Sequence, residues 1–285
     1  MAKTADVLFI LDTTGSMQFA INAMKQCIAD VAQAYLTSRI NIQVGLLEFR
    51  DRTITSGRDE AGLSTRRLIR FEGNDFTSDL NLFRDELNRL VAEGGGPHPE
   101  SSFDALSLAV DANWRSNAHS VLILITDAPP HIPDFEIKTS EQLISRLNEG
   151  AFNQIHIVCP NNDMESFSQL AEVHGPDGDG GAKFLDLFFH ELSVEQGKTE
   201  KLAETLRFVA KTSSDSIGSD TTGAPVLKER NSITPFDSKT ETEEPESEDS
   251  EAGEPDVSEA SGSKEKLESE ELPQKESEPN IFDDY

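Results

Sequence analysis

The sequence predicts an α/β fold of the Rossmann-like, doubly wound kind: a mainly parallel sheet, helices on both faces, and a disordered acidic C-terminal tail. Three observations carry that prediction. Apolar runs of strand length recur along the chain. Stretches with apolar residues three and four apart separate them, and strands joined by helical crossovers lie parallel in one sheet. Beyond residue 212 the apolar content collapses while acids accumulate.

The elements follow in order. Val7 to Leu11 is a continuous apolar run, the pattern of a strand buried on both faces. Met24, Cys27, Ile28, Val31 and Tyr35 form one helical stripe. Ile40, Ile42, Val44 and Leu46 alternate as a second strand, and Leu68 to Phe71 is a weaker third. Leu80, Phe83, Leu87, Leu90 and Val91 have helical spacing, as do Phe103, Leu106, Val110 and Trp114. Val121 to Ile125 is another strand. Thr139-Ser-Glu-Gln142 reads as a capping box, with Gly150 as that helix's stop. Ile155 to Cys159 is a strand, Phe167, Leu170 and Ala171 mark a helix, Phe184 to Phe189 a last strand, and Leu202, Leu206 and Val209 a last helix. This body is assigned to residues 1–212.

Residues 213–285 hold 22 acids against 6 bases, and their runs of Glu bury too little apolar surface to offset chain entropy. They are expected to be disordered, with Ile233 to Asp237 and Ile281 to Tyr285 as short apolar clusters that suit either docking motifs or plain spacer.

Over all 285 residues, 25 Lys and Arg face 53 Asp and Glu, a formal charge of −28. That argues against nucleic acid or an anionic membrane surface as partner and leaves cations and basic protein surfaces. No apolar run approaches the roughly 20 residues of a membrane span, and no signal peptide is read at the N-terminus. Two cysteines without metal-ligand spacing point to a reducing cytoplasm.

Ligands of such sheets sit at the carboxyl ends of the strands. After the first strand, Asp12-Thr13-Thr14-Gly15-Ser16 places a carboxylate and two hydroxyls two residues apart, on one side of an extended turn. Hard oxygen donors suit Mg²⁺ or Mn²⁺; alone, the same residues read equally as a helix N-cap. After Val121 to Ile125, Thr126-Asp127 supplies a second carboxylate at the same edge. Between them lies Gly94-Gly-Gly-Pro-His-Pro-Glu100, which puts Glu100 just before a helix, as a ligand or as that helix's cap.

Together these residues resemble the von Willebrand factor A domain and its metal-ion-dependent adhesion site. Phe49-Arg-Asp51, the Gly94 to Glu100 loop, Trp114-Arg115 and Asp127-Ala-Pro-Pro-His131 are similar to the subgroup found in von Willebrand A-domain alpha-kinases. No kinase domain is expected in this chain. The resemblance implies that Thr14 and Ser16 ligate Mg²⁺ (or Mn²⁺) directly, and that Asp12 and Asp127 act through waters. It places Glu100 where the family carries a distant Thr. A carboxylate there lowers the site's charge and can close it internally. The implied function is a divalent-metal-dependent, non-enzymatic interaction module with protein partners. The alternatives are a regulatory subunit of an ATP-driven ring complex and a metal-assisted hydrolase.

Weaker signals are set apart. His98 and His131 read as rim residues or hydrogen-bond partners of the acids. Asp177 to Gly181 lacks the acid that completes a calcium loop and reads as a flexible turn. Cys27 reads as core and Cys159 as unreactive. Arginines 50, 52, 58, 66, 67 and 70 read as a solvated face.

Overall fold

The computed structural model describes residues 3–51, 66–95, 98–150, 152–175, 186–193 and 196–219. Its central strand β1 (Lys3–Asp12) is buried from Ala5 onward. Ala5, Val7, Phe9 and Leu11 enter one apolar layer, and Leu8 and Ile10 the other. Alternate residues of one strand thus fill both cores, which is why the run reads as solidly apolar. The remaining elements are α1 (Gln18–Thr37), β2 (Ile40–Phe49), β3 (Arg66–Leu68), β4 (Phe76–Thr77), α2 (Leu80–Arg89), α3 (Ser102–Ala109), β5 (His119–Ile125), α4 (Ser140–Gly150), β6 (Gln154–Cys159), β7 (Asp186–Glu191) and α5 (Lys198–Ser219).

The strands run in the order β3-β2-β1-β5-β6-β7, with β4 also beside β2. β2, β1, β5, β6 and β7 are parallel, and β3 and β4 are antiparallel to β2. The chain leaves β1 toward β2 on one side and returns toward β5 on the other. The switch in strand order therefore lies between β1 and β5, whose registers end together at Leu11 and Ile125. Residues of α1, α2 and α5 cover one face, and residues of α3 and α4 the other. Among the described residues no helix is long and apolar enough to cross a membrane.

Four expectations change. The third strand pairs over Arg66–Leu68, one turn earlier than expected, because Phe71 and Asn74 exchange hydrogen bonds in a tight turn. α3 stops at Ala109, and Trp114 lies beyond it; its indole N–H donates to the Ala109 carbonyl at 2.9 Å and satisfies a helix-end acceptor. The segment around Phe167 is a run of 3-10 turns, Asn161–Glu172, whose three-residue period stacks the buried Phe167 and Leu170 on one side. Finally, α5 continues past the boundary drawn at residue 212, because Ser213, Ser214 and Ile217 are buried. Residues 220–285, with both tail clusters, lie outside the described residues, as does the Asp177 to Gly181 turn.

Candidate functional site

At the end of β1 the backbone stays extended, so successive side chains diverge. Thr13 turns toward the scaffold: its N–H and its hydroxyl both donate to the Phe49 carbonyl, at 2.8 and 3.1 Å. Asp12 and Thr14 turn the other way. Asp12 Oδ1 accepts from the Thr14 N–H at 2.9 Å and from the Thr14 hydroxyl at 2.7 Å. Thr14 Oγ1 lies 3.4 Å from Ser16 Oγ. Asp12 Oδ2 accepts from the Thr126 hydroxyl at 2.9 Å, so the end of β5 closes against the end of β1. Asp127 follows immediately, and its Oδ1 is buried without a hydrogen-bond partner.

The glycine loop lies on this turn. The Glu93 N–H donates to the Thr13 carbonyl at 3.1 Å, and the Gly15 N–H to the Gly94 carbonyl at 3.3 Å. Gly94 and Gly95 have φ of +69° and +83°, and a Cβ on Gly95 would stand 2.7 Å from Thr14 Cγ2. Only glycine satisfies both the backbone and the space. That same Cβ would stand 3.6 Å from Glu100 Oε1, which places the Glu100 carboxylate and Thr14 on one small patch of backbone.

Glu100 is only 2% exposed, and its Oε2 has no partner. Its backbone is held on both sides, the N–H donating to the Pro129 carbonyl (3.0 Å) and the carbonyl accepting from the His131 N–H (2.9 Å). The cap readings do not hold. Ser101, not Glu100, precedes α3, and neither Thr14 nor Ser16 makes a side-chain cap at the start of α1. Burial, together with repulsion from Asp12, Asp51 and Asp127, raises the Glu100 carboxyl well above the usual range. Burial also raises Asp12, and Asp127 adds to the rise against the hydrogen bonds from Thr14 and Thr126.

Among the described residues, no Lys or Arg ion-pairs with Asp12, Glu100 or Asp127. Nor do three His, Cys, Asp or Glu side chains form a ready-made metal cage. A cation here depends on the hydroxyls of Thr14 and Ser16, with water between it and the more distant carboxylates. The unsatisfied oxygens of Glu100 and Asp127 fit a hard divalent ion, whose charge would offset theirs.

His131 Nε2 lies 2.7 Å from Asp51 Oδ1, the hydrogen-bonding role expected of a rim histidine. Cys27 and Cys159 are buried free thiols, and burial pushes both up to about 12. Where it is described, the arginine run is solvated in part and paired throughout. Arg50 Nε donates to Thr13 Oγ1 (3.1 Å) and its guanidinium to the Val91 carbonyl (2.8 Å), tying β1 to the segment that leads into the glycine loop. Arg66 pairs with the buried Asp104 and the exposed Glu136, and Arg67 and Arg70, both more than half exposed, pair with Glu48 and with the buried Asp75. Arg52 and Arg58 lie outside the described residues.

Sequence reasoning missed three contributors: Thr126 as the clasp on Asp12, Arg50 as the tie behind Thr13, and Asp51 as the anchor of His131. Thr126 was readable from its place beside Asp127 at a strand end. Arg50 and Asp51 stood in the Phe49-Arg-Asp51 motif, but nothing in the residue order pointed to their partners, Thr13 and His131.

A family model described as von Willebrand factor type A domain matches residues 7–129. The alpha-protein kinase vwkA of Dictyostelium discoideum is 30% identical over 132 residues, which cover 46% of this chain and 19% of that protein. The chain thus spans about a fifth of that relative. Among solved structures, the pilus adhesin SpaC of Lactobacillus rhamnosus GG aligns over 76% of this chain and 31% of its own, with a TM-score of 0.48 and 12% identity.

Proposed function

Since the chain carries a von Willebrand factor type A domain, an interaction module in general, we propose that it is a non-enzymatic scaffold or adaptor that binds protein partners through a divalent-cation site. The observation that carries this reading is a set of three neighbouring carboxylates, Asp12, Glu100 and Asp127, with no Lys or Arg partner among the described residues and with buried oxygens of Glu100 and Asp127 left unsatisfied. Thr14 and Ser16 would hold Mg²⁺ or Mn²⁺ through their hydroxyls, with the carboxylates around it. The bound ion supplies concentrated positive charge where the fold leaves only negative charge.

The residues around the site support contact with a protein. Val91 and Ile132 are 51% and 52% exposed, and they stand on the two loops that flank the carboxylates. Apolar anchors beside a charged centre are the usual make-up of a recognition patch. The domain's two free, buried thiols support the cytoplasm as its location.

The test is thermal. Binding to the folded form alone stabilises it by about 2.7 kcal/mol at a hundredfold excess of free Mg²⁺ over Kd, so the melting temperature rises with the logarithm of free Mg²⁺. Asp12→Ala is expected to abolish that rise. Partners recovered from cell extract by the full chain should be lost in EDTA and with Asp12→Ala. A melting temperature indifferent to Mg²⁺ and EDTA would remove the cation from the mechanism.

A further inference from the structure

We propose that Glu100 is a built-in ligand that closes the cation site to carboxylates, so that the partner surface it recognises is basic rather than acidic. This rests on the divalent-cation reading above and names the chemistry of the partner.

Glu100 is almost fully buried, its Oε2 is unpartnered, and its backbone is held by Pro129 and His131. Its Oε1 shares the Gly95 backbone as neighbour with Thr14, the residue whose hydroxyl faces Ser16. A divalent ion beside those hydroxyls lies within reach of Glu100 before any outside group arrives.

The charge count sets the specificity. Asp12, Glu100 and Asp127 bring three negative charges against two positive ones. The occupied site remains anionic. An incoming carboxylate would meet a filled coordination position and a repulsive field. A Lys or Arg side chain would meet attraction, with Val91 and Ile132 offering apolar contact for its stem. A site with a neutral hydroxyl in place of Glu100 would have the opposite preference.

The experiment uses the full chain with Mn²⁺ as probe, in wild type, Glu100→Gln and Glu100→Thr. Free Mn²⁺ is followed by electron paramagnetic resonance, and coordinated water by proton relaxation. Wild type is expected to bind Mn²⁺ with one fewer exchangeable water than Glu100→Thr. Added acetate is expected to leave the wild-type relaxation unchanged and to displace water in Glu100→Thr. Glu100→Gln, an isosteric change that keeps the fold testable, should weaken Mn²⁺ by roughly tenfold or more. A peptide of alternating Lys and Ala should bind loaded wild type more tightly than one of alternating Glu and Ala, and Glu100→Thr should narrow or reverse that ratio. Equal water counts and equal Mn²⁺ affinity in all three proteins, or acetate entering the wild-type site, would overturn the role of Glu100 alone. Failure of wild type to bind Mn²⁺ would overturn the cation reading, and this inference with it.

Discussion

The two ends of β1 treat a buried aspartate in opposite ways. Asp6 and Asp12 are both fully buried, on the same side of one strand. Asp6 accepts from the Arg115 N–H and from Arg115 Nε, each at 2.7 Å, and that guanidinium also donates to the Ala5 carbonyl. Asp12 accepts only from neutral donors, Thr14 and Thr126. The pattern extends beyond the strand: Asp104 has Arg66, Asp75 has Arg70, and the rim acids Glu100 and Asp127 have neither Lys nor Arg. At Asp6, Asp75 and Asp104 the fold supplies a guanidinium to a buried acid; at Asp12, Glu100 and Asp127 the described residues supply none, and the proposed cation would take that place.

The largest expected effect tests the closed end. Arg115→Ala leaves Asp6 buried and uncompensated and should cost about 3–5 kcal/mol in urea unfolding. A cost below about 1 kcal/mol would mean that Asp6 is not held by charge, and the contrast would lose one of its sides.

A third buried set sharpens the comparison. His156 Nδ1 lies 3.1 Å from His190 Nε2, the ring of His156 stacks on Phe188, and Ser213 of α5 donates to Gln154 beside it. Burial lowers His156 to about 3 and His190 to about 4. Here burial favours the neutral form, as it does for Asp12 and Glu100, but a neutral imidazole pair is already hydrogen-bonded and asks for no counter-ion. The sign follows. Each depressed histidine contributes stability above about pH 6.5 that is lost as pH falls toward its folded value. The unfolding free energy of wild type minus that of His190→Gln should therefore drop by roughly 1–1.5 kcal/mol between pH 6.5 and 5. A flat difference would place His190 outside the buried pair.

The smallest effect has the most telling sign. In EDTA, Glu100→Gln should stabilise the protein by about 1 kcal/mol or more, because it removes a carboxyl that burial and repulsion from Asp12, Asp51 and Asp127 force to take up a proton on folding. Asp6→Asn should destabilise it under the same conditions. A carboxyl raised in the folded state costs more stability as pH rises, so the Glu100→Gln gain should grow from pH 6 to pH 8. Destabilisation by both substitutions would show that Glu100 is already compensated without a cation.

Much of this was legible in the residue order. Strands buried on both faces announce themselves as unbroken apolar runs, so β1, β5 and β6 and their parallel arrangement were readable. Thr139 to Gln142 was readable as a helix start: Thr139 Oγ1 accepts from the Gln142 N–H at 3.2 Å, although Gln142 reaches back to Lys138 rather than to Thr139. Trp114 was misplaced because helical spacing persists in sequence after the helix has ended. The last turns of α5 were hidden because Ser213, polar by type, is buried against Gln154, 59 residues away in the chain, and Ser214 is buried beside it.

For the site, the order of residues alone determined which oxygen-bearing side chains follow the strands, because a strand's period of two sends Asp12 and Thr14 the same way and the switch in strand order brings Asp127 to them; the 3-10 turn Gly15–Met17 then sets Ser16 Oγ 3.4 Å from Thr14 Oγ1. Only the tertiary structure decided which acids remain without a cation. A guanidinium reaches across the fold to Asp6, Asp75 and Asp104 from positions that no local pattern predicts, and among the described residues none reaches Asp12, Glu100 or Asp127. Charge is written in the sequence, but its compensation depends on distances in space between residues far apart along the chain.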